Sequence, residues 1–190
     1  ARTIMFKDDL WFIRGGGRPQ LMDDLVALKR VKDRWPERNI RYTGKARVAT
    51  FVDPNTMEVD WELLRTAKDS GMLAISFGVE SFDGEDLEYY NKKLGINGPV
   101  VNRKAIDSCR ELGITTFSYL ILSNPRSTID SIFTTLDNAT YYILKGETMR
   151  LNPFLMDLPG TTIAGEVEPN GRLGPKLFGI GGGIRNQKPR

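Results

Sequence analysis

Histidine is absent from this 190-residue chain, and cysteine occurs once, at Cys109. The first absence excludes a Ser-His-Asp or Cys-His nucleophile system and a histidine-ligated metal within the chain, and it removes the commonest acid-base side chain. The second excludes an internal disulfide framework. The sequence also has no signal peptide and no apolar run of membrane-spanning length, which with so little cysteine predicts a cytoplasmic location. The sequon Asn138-Ala139-Thr140 is coincidental on that reading. A strong charge of one sign is missing too: 27 Lys and Arg stand against 24 Asp and Glu. That balance builds no phosphate-neutralising face, so nucleic acid is not implied as a partner.

What is present suffices for one core, since 40% of the residues are hydrophobic and the length fits a single domain. The sequence predicts five short strands, at 3–6, 40–49, 73–79, 115–122 and 149–156, alternating with helices. Leu21, Leu25, Leu28, Val31 and Trp35 recur at steps of three and four, as a helix with one buried face requires. Ile129, Ile132, Phe133, Leu136 and Ile143 predict a second such face, Val101, Ala105, Cys109 and Leu112 a third, and Trp61, Leu64 and Ala67 a shorter fourth. Gly71, Gly113 and Gly146 fall just past three of these helices, where a left-handed residue closes the last turn, and Pro99 suits a helix start.

Strand, helix, strand at this spacing demands parallel pairing through right-handed crossovers, so the fold class is α/β with a parallel sheet. A closed eight-unit barrel needs roughly 250 residues, whereas five units fit a curved, partial (βα) barrel. Either a barrel or an open sheet places ligands at the carboxyl ends of its strands. From Gly165 to Arg190 the chain is rich in Gly, Pro and basic residues without period, which predicts a loosely ordered tail behind a 1–164 core. Gly15-Gly16-Gly17 is followed by Arg18-Pro19 and not by Gly-Lys-Ser/Thr, so it is a connector and not a phosphate loop. The Gly179–Gly183 run opens no helix and makes no dinucleotide fingerprint.

The predicted strand ends carry specific residues. Ile4-Met5-Phe6-Lys7-Asp8-Asp9-Leu10-Trp11-Phe12, Ala46-Arg47-Val48, Ile75-Ser76-Phe77-Gly78-Val79-Glu80-Ser81, Tyr90-Asn91-Lys92 and Leu158-Pro159-Gly160-Thr161 follow one another in that order. In these segments the chain resembles the radical S-adenosylmethionine enzymes, over about residues 3–161. It is most similar to the cobalamin-associated branch, where an Asp-Asp pair follows one strand and a Gly-x-Glu-Ser turn follows another. Other branches commonly show Gly-x-Gln-Ser followed twelve positions on by arginine; this chain has Glu80 followed at that spacing by Lys92.

The resemblance implies a TIM-barrel-like core that binds S-adenosylmethionine and, with a reduced 4Fe-4S cluster, cleaves it to methionine and a 5′-deoxyadenosyl radical. It places Asp9 near the methionine amino group, Glu80 on the ribose diol and Lys92 near the methionine carboxylate. Ser76 and Gly78 let the backbone approach the nucleoside, and Ile121 packs beside the adenine. Asp8 and Arg47 fall on the same rim as substrate-side candidates. The branch also implies a cobalamin-binding domain upstream and a small-molecule substrate that the sequence does not identify.

Two departures accompany the resemblance. Ser123-Asn124-Pro125-Arg126-Ser127-Thr128 stands where the family has Gly-x-Pro followed by Gly-x-Thr. The family's C-x-x-x-C-x-x-C cluster loop is missing altogether, and Cys109, on the apolar face of a helix, is no substitute. Because that loop precedes the first strand read here, truncation is the expectation, with the first βα unit absent and a natural cluster-free relative as the alternative. Taken singly, Asp8-Asp9 reads as a solvated loop, Glu80-Ser81 as a helix cap and Lys92 as an exposed cation; their family order favours a shared site. A non-catalytic α/β module for a small ligand or protein partner is the competing function.

Overall fold

Alternation along the third strand decides which side of the sheet is covered. In Met72–Glu80 (β3), Ile75, Phe77 and Val79 are buried while Ser76, Gly78 and Glu80 are half-buried. Thr115–Ile121 (β4) repeats the pattern, burying Thr116, Ser118 and Leu120 and leaving Phe117, Tyr119 and Ile121 accessible. Side chains two apart share a face, so one face of the sheet is packed and the other lies open. The computed structural model describes residues 2–6 and 17–153. The predicted tail from Gly165 onward, the 158–161 turn, Asp8 and Asp9 lie outside the described residues.

The remaining elements are β1 (Arg2–Met5), α1 (Gly17–Arg34), β2 (Ile40–Ala46), α2 (Trp61–Asp69), α3 (Gly84–Tyr89), α4 (Gly98–Glu111), α5 (Ile129–Leu144) and β5 (Thr148–Asn152). All five strands pair in parallel and in chain order, β1-β2-β3-β4-β5. A doubly wound sheet reverses direction once and puts helices on both faces. Consecutive order without reversal is the winding of a βα barrel, and the open sheet makes this a partial one.

The core lies between the covered face and the helices, with Tyr42, Phe51, Leu64, Ile75, Phe77 and Ile106 among its fully buried side chains. The glycines at the ends of α2, α4 and α5 take positive φ as the sequence predicts, and Pro99 sits in the first turn of α4. The predicted second strand is too long, because Arg47 remains extended but Val48–Thr50 coil into a 3-10 turn.

The largest correction concerns α5. Its predicted buried stripe is largely outside: Ile129, Phe133 and Ile143 are exposed, and the helix buries Ser131, Thr135, Ala139 and Tyr142. Polar anchors override hydrophobic periodicity here. Thr135 Oγ1 meets Ser81 Oγ at 2.9 Å and accepts from Phe82 N at 3.1 Å, while Asn138 accepts from Arg103 of α4 at 2.9 Å. These bonds turn the helix so that its apolar stripe faces away from α4. Val31 of α1 is likewise exposed.

Asp60 caps α2, accepting from Leu63 N at 3.0 Å, and pairs with Arg18 of α1. The Arg18 hydrogen bond is the main cause holding the Asp60 carboxyl below its ordinary value of 3.8. A depressed native pKa gives stability that is fully present above the unfolded value and lost as pH falls through the native one. Urea unfolding of Asp60→Asn is therefore expected to show a flatter loss of stability than the parent as pH falls below about 4, with the difference shrinking in salt because Arg18 is half-exposed. Identical pH profiles for the two proteins would remove Asp60 from the acid limb.

Candidate functional site at the carboxyl end of the third strand

β3 does not simply run out. Its register with β4 slips between Gly78 and Glu80, Ser81 N donates to Val79 O at 2.9 Å, and Glu80 takes φ +63°. A hydrogen bond spanning one residue of positive φ makes a γ-turn of the rare, strained kind. For a residue other than glycine such a conformation costs on the order of 1–3 kcal/mol, and it persists only where neighbouring contacts enforce it.

The turn aims the Glu80 carboxylate at Lys92. Lys92 Nζ lies 2.7 Å from Glu80 Oε1, with side-chain exposures of 29% and 18%, too low for a freely solvated surface pair. Lys92 comes from the loop after α3, between Asn91 and Lys93, which both have positive φ, and its own N–H donates to Leu87 O at 3.1 Å. The pair lies over Gly78: a Cβ there would stand 2.8 Å from Glu80 Oε1 and 3.3 Å from Lys92 Nζ. An ammonium has three donors and a carboxylate about four acceptor positions. One mutual hydrogen bond therefore leaves capacity on both groups for a ligand.

Behind the pair, a buried polar network ties two strand-end loops together. The Asp86 carboxylate, 3% exposed, accepts from Asn124 Nδ2 and from Ser127 Oγ, each at 2.7 Å, and from Ser81 Oγ at 3.4 Å. Asn124 Nδ2 also donates to the Tyr90 hydroxyl at 3.2 Å, and burial pushes that phenol's pKa up, so it stays protonated at neutral pH. The loop closes on itself as well, with Asn124 N donating to Ser127 Oγ and Ser127 N to Asn124 O. Thr128 then starts α5 with a reciprocal cap to Ser131. The 123–128 turn, which contains no glycine, is thus held by its own side chains.

Of the residues singled out from sequence, Gly78, Glu80 and Lys92 meet directly. Ser76 lies one step back on the same open face, in register with Lys45 and Phe117. Ile121 ends β4 on that face, two residues past Tyr119, the partner of Gly78. Arg47 is exposed just beyond β2, and Arg150 of β5 lies over the Tyr119 ring, 5.7 Å from its centroid. Asp86, Asn102 and Thr135 were not legible as site residues, and Asn124 and Ser127 stood out only as members of the departing 123–128 turn. Asp86 falls in no element predicted from the sequence; it is the third residue of α3, and its burial is tertiary.

The described residues do not fit an iron-sulfur cluster. Cys109 is fully buried in α4, its thiol pushed up to about 12 by burial, and no group of three metal-capable side chains occurs among the described residues. Nor is any described helix long and apolar enough to cross a membrane.

The architecture is shared with part of known radical enzymes. A structure of the radical S-adenosylmethionine methyltransferase TsrM from Kitasatospora setae, with cobalamin and a 4Fe-4S cluster bound, matches at a TM-score of 0.51 and 16% identity over 68% of this chain and 24% of that one. A second TsrM structure, with tryptophan substrate and the analogue aza-SAM, matches at 0.53 and 16% over 69% and 24%. OxsB, a cobalamin-dependent S-adenosylmethionine radical enzyme with aqua-cobalamin bound, matches at 0.56 and 19% over 71% and 19%. This chain thus spans about a fifth to a quarter of those proteins. At such identities the likeness is one of fold, and it falls on the branch that the strand-end motifs resemble. No protein-family profile and no curated protein sequence matches the chain.

Replacing Asp86 by Ala strands the Asn124 amide and the Ser127 hydroxyl in a buried setting. A loss of about 3 kcal/mol is expected in urea unfolding, together with loss of amide protection along 123–128. A change within about 0.5 kcal/mol, as for an ordinary surface site, would show that the network carries no weight.

Proposed function

We propose that this chain is the S-adenosylmethionine-binding part of a cobalamin-dependent radical S-adenosylmethionine enzyme. The observation that carries the proposal is the Glu80–Lys92 pair set over Gly78 at a strand carboxyl end, on a fold shared with TsrM and OxsB. When bound, S-adenosylmethionine supplies the adenosyl and methyl groups that such enzymes use. The chain's own residues hold it. Glu80 accepts from the ribose hydroxyls, Lys92 turns a donor to the methionine carboxylate, and the bare backbone at Gly78 admits the nucleoside. Tyr90 and Asn124 close the floor behind the pair against water. Asp9, which lies outside the described residues, is assigned to the methionine amino group, and Ile121 to the adenine edge.

The thiolates for the cluster come from another part of the parent protein, as does any cobalamin site, because the chain's one cysteine is a core residue. Arg47 and Arg150, on or beside the open face, favour a substrate with an anionic group; Asp8 completes the substrate-side set. Without a cluster to anchor the methionine end, affinity falls by on the order of 4 kcal/mol, roughly a thousandfold. Weak binding and no turnover are expected of the chain by itself.

Titration with S-adenosylhomocysteine, followed by NMR shifts, tests the assignment. Glu80→Ala removes charge-assisted bonds worth about 1.5–3 kcal/mol, so the dissociation constant should rise about 10- to 100-fold. Gly78→Ala is expected to keep the fold, since the added methyl meets only the side-chain ends of Glu80 and Lys92 and no backbone, yet to weaken binding by displacing the pair. Unchanged affinity in both variants would sink the cofactor reading and favour a module for some other small ligand or for a protein. After iron and sulfide reconstitution the chain alone should form no 5′-deoxyadenosine; its detection by mass spectrometry would overturn the division of labour proposed above.

A further inference from the structure

We infer that Asn102 of α4 is the positioning residue for Glu80, its side-chain amide holding the strained turn that presents the carboxylate. Asn102 is fully buried, and its Nδ2 donates to Val79 O at 3.1 Å and to Ser81 O at 2.8 Å. One NH2 group carries two donors. Here they go to the carbonyls on either side of Glu80, the residue at φ +63°. The amide therefore spans the turn from behind, and the Glu80 side chain lies on the opposite, open face with Lys92.

Three further facts set this contact apart from routine packing. Asparagine is a mediocre helix former, yet it occupies the buried face of α4 between Val101 and Ala105, where an apolar residue would suit the surroundings. Its Oδ1 has no hydrogen-bond partner, so the position tolerates an unsatisfied acceptor and keeps the donors. The other side chains that reach Ser81, Thr135 and Asp86, bond its hydroxyl, with Thr135 also accepting from Phe82 N, and leave the turn's carbonyls alone. A positive-φ glutamate between two carbonyls needs those carbonyls held in place, and among the described residues only Asn102 gives a side-chain hydrogen bond to both.

The inference rests on Glu80 as a ligand-binding group, and its test separates the two ideas. In the unaltered chain, hydrogen exchange at the Ser81 amide, which donates to Val79 O, should be slowed well beyond that of a free loop. Exchange at the rate of an unstructured peptide would overturn the proposal without any variant. Asn102→Ala should speed Ser81 exchange at least tenfold while leaving the Ile75 amide, deeper in β3, unchanged. In a Glu80→Gly background, where glycine adopts the turn without strain, the same substitution should have much less effect on Ser81.

Asn102→Ala should also weaken S-adenosylhomocysteine about tenfold in the parent chain but not further in Glu80→Ala, whereas general loosening of the fold would weaken both alike. Equal effects in both backgrounds, or no change at Ser81, refute the positioning role. If Glu80→Ala leaves ligand affinity untouched, the cofactor assignment fails and the exchange comparison still decides whether Asn102 holds the turn. Should Asn102→Ala not fold, Asn102→Ser, which retains one donor, is expected to give an intermediate Ser81 rate.

Discussion

A buried carboxylate held by amide and hydroxyl donors, that of Asp86, is the interaction on which the carboxyl end of the sheet depends. At the carboxyl end of a parallel sheet the backbone ladder stops, and the freed polar groups need other partners. Here side chains provide them. Asp86 draws in the amide of Asn124 and the hydroxyls of Ser127 and Ser81, joining the β3–α3 corner to the β4–α5 loop. Thr135 adds α5 and Asn102 adds α4, so three helices converge on one strand end. The half-buried Glu80–Lys92 pair is the outcome of that convergence on the open face.

The fold was legible in the sequence to the extent that periodicity and glycine punctuation report it. Strand positions, parallel pairing and most helix ends follow from alternation and from Gly71, Gly113 and Gly146. The partial barrel rested on chain length and on the resemblance, and the consecutive strand order bears it out; periodicity alone could not choose it, because barrel and open sheet share local patterns and differ only in which strands become neighbours. The face of α5 was misread for a physical reason: hydrophobic periodicity identifies an apolar stripe, and the stripe of this helix is not the side that Thr135 and Asn138 fasten down. At the site, Glu80, Lys92 and Gly78 were found through motif order. Asp86 and Asn102 were not, since burial of a short-helix aspartate or a mid-helix asparagine is decided by tertiary neighbours and leaves no local pattern.

Under the function proposed above, the chain would carry one part of a chemistry that its structural neighbours hold together. It offers a carboxylate, an ammonium and an open backbone, the groups that recognise an alcohol-rich, zwitterionic nucleoside, and among its described residues nothing that holds a metal. On that proposal, recognition and electron supply would fall to different stretches of polypeptide. The open face between β2 and β5, basic at its edges and aromatic at Phe117 and Tyr119, is where the two would have to meet a substrate.

The conformation of Glu80 has an evolutionary consequence. At φ +63° the residues the backbone prefers are glycine and then asparagine or aspartate, so substitutions that relax the chain at this position also shorten or erase its carboxylate. If Glu80 binds the proposed ligand, stability and recognition pull one codon in opposite directions. A search for more stable variants would drift away from glutamate here, and only selection for binding would hold it.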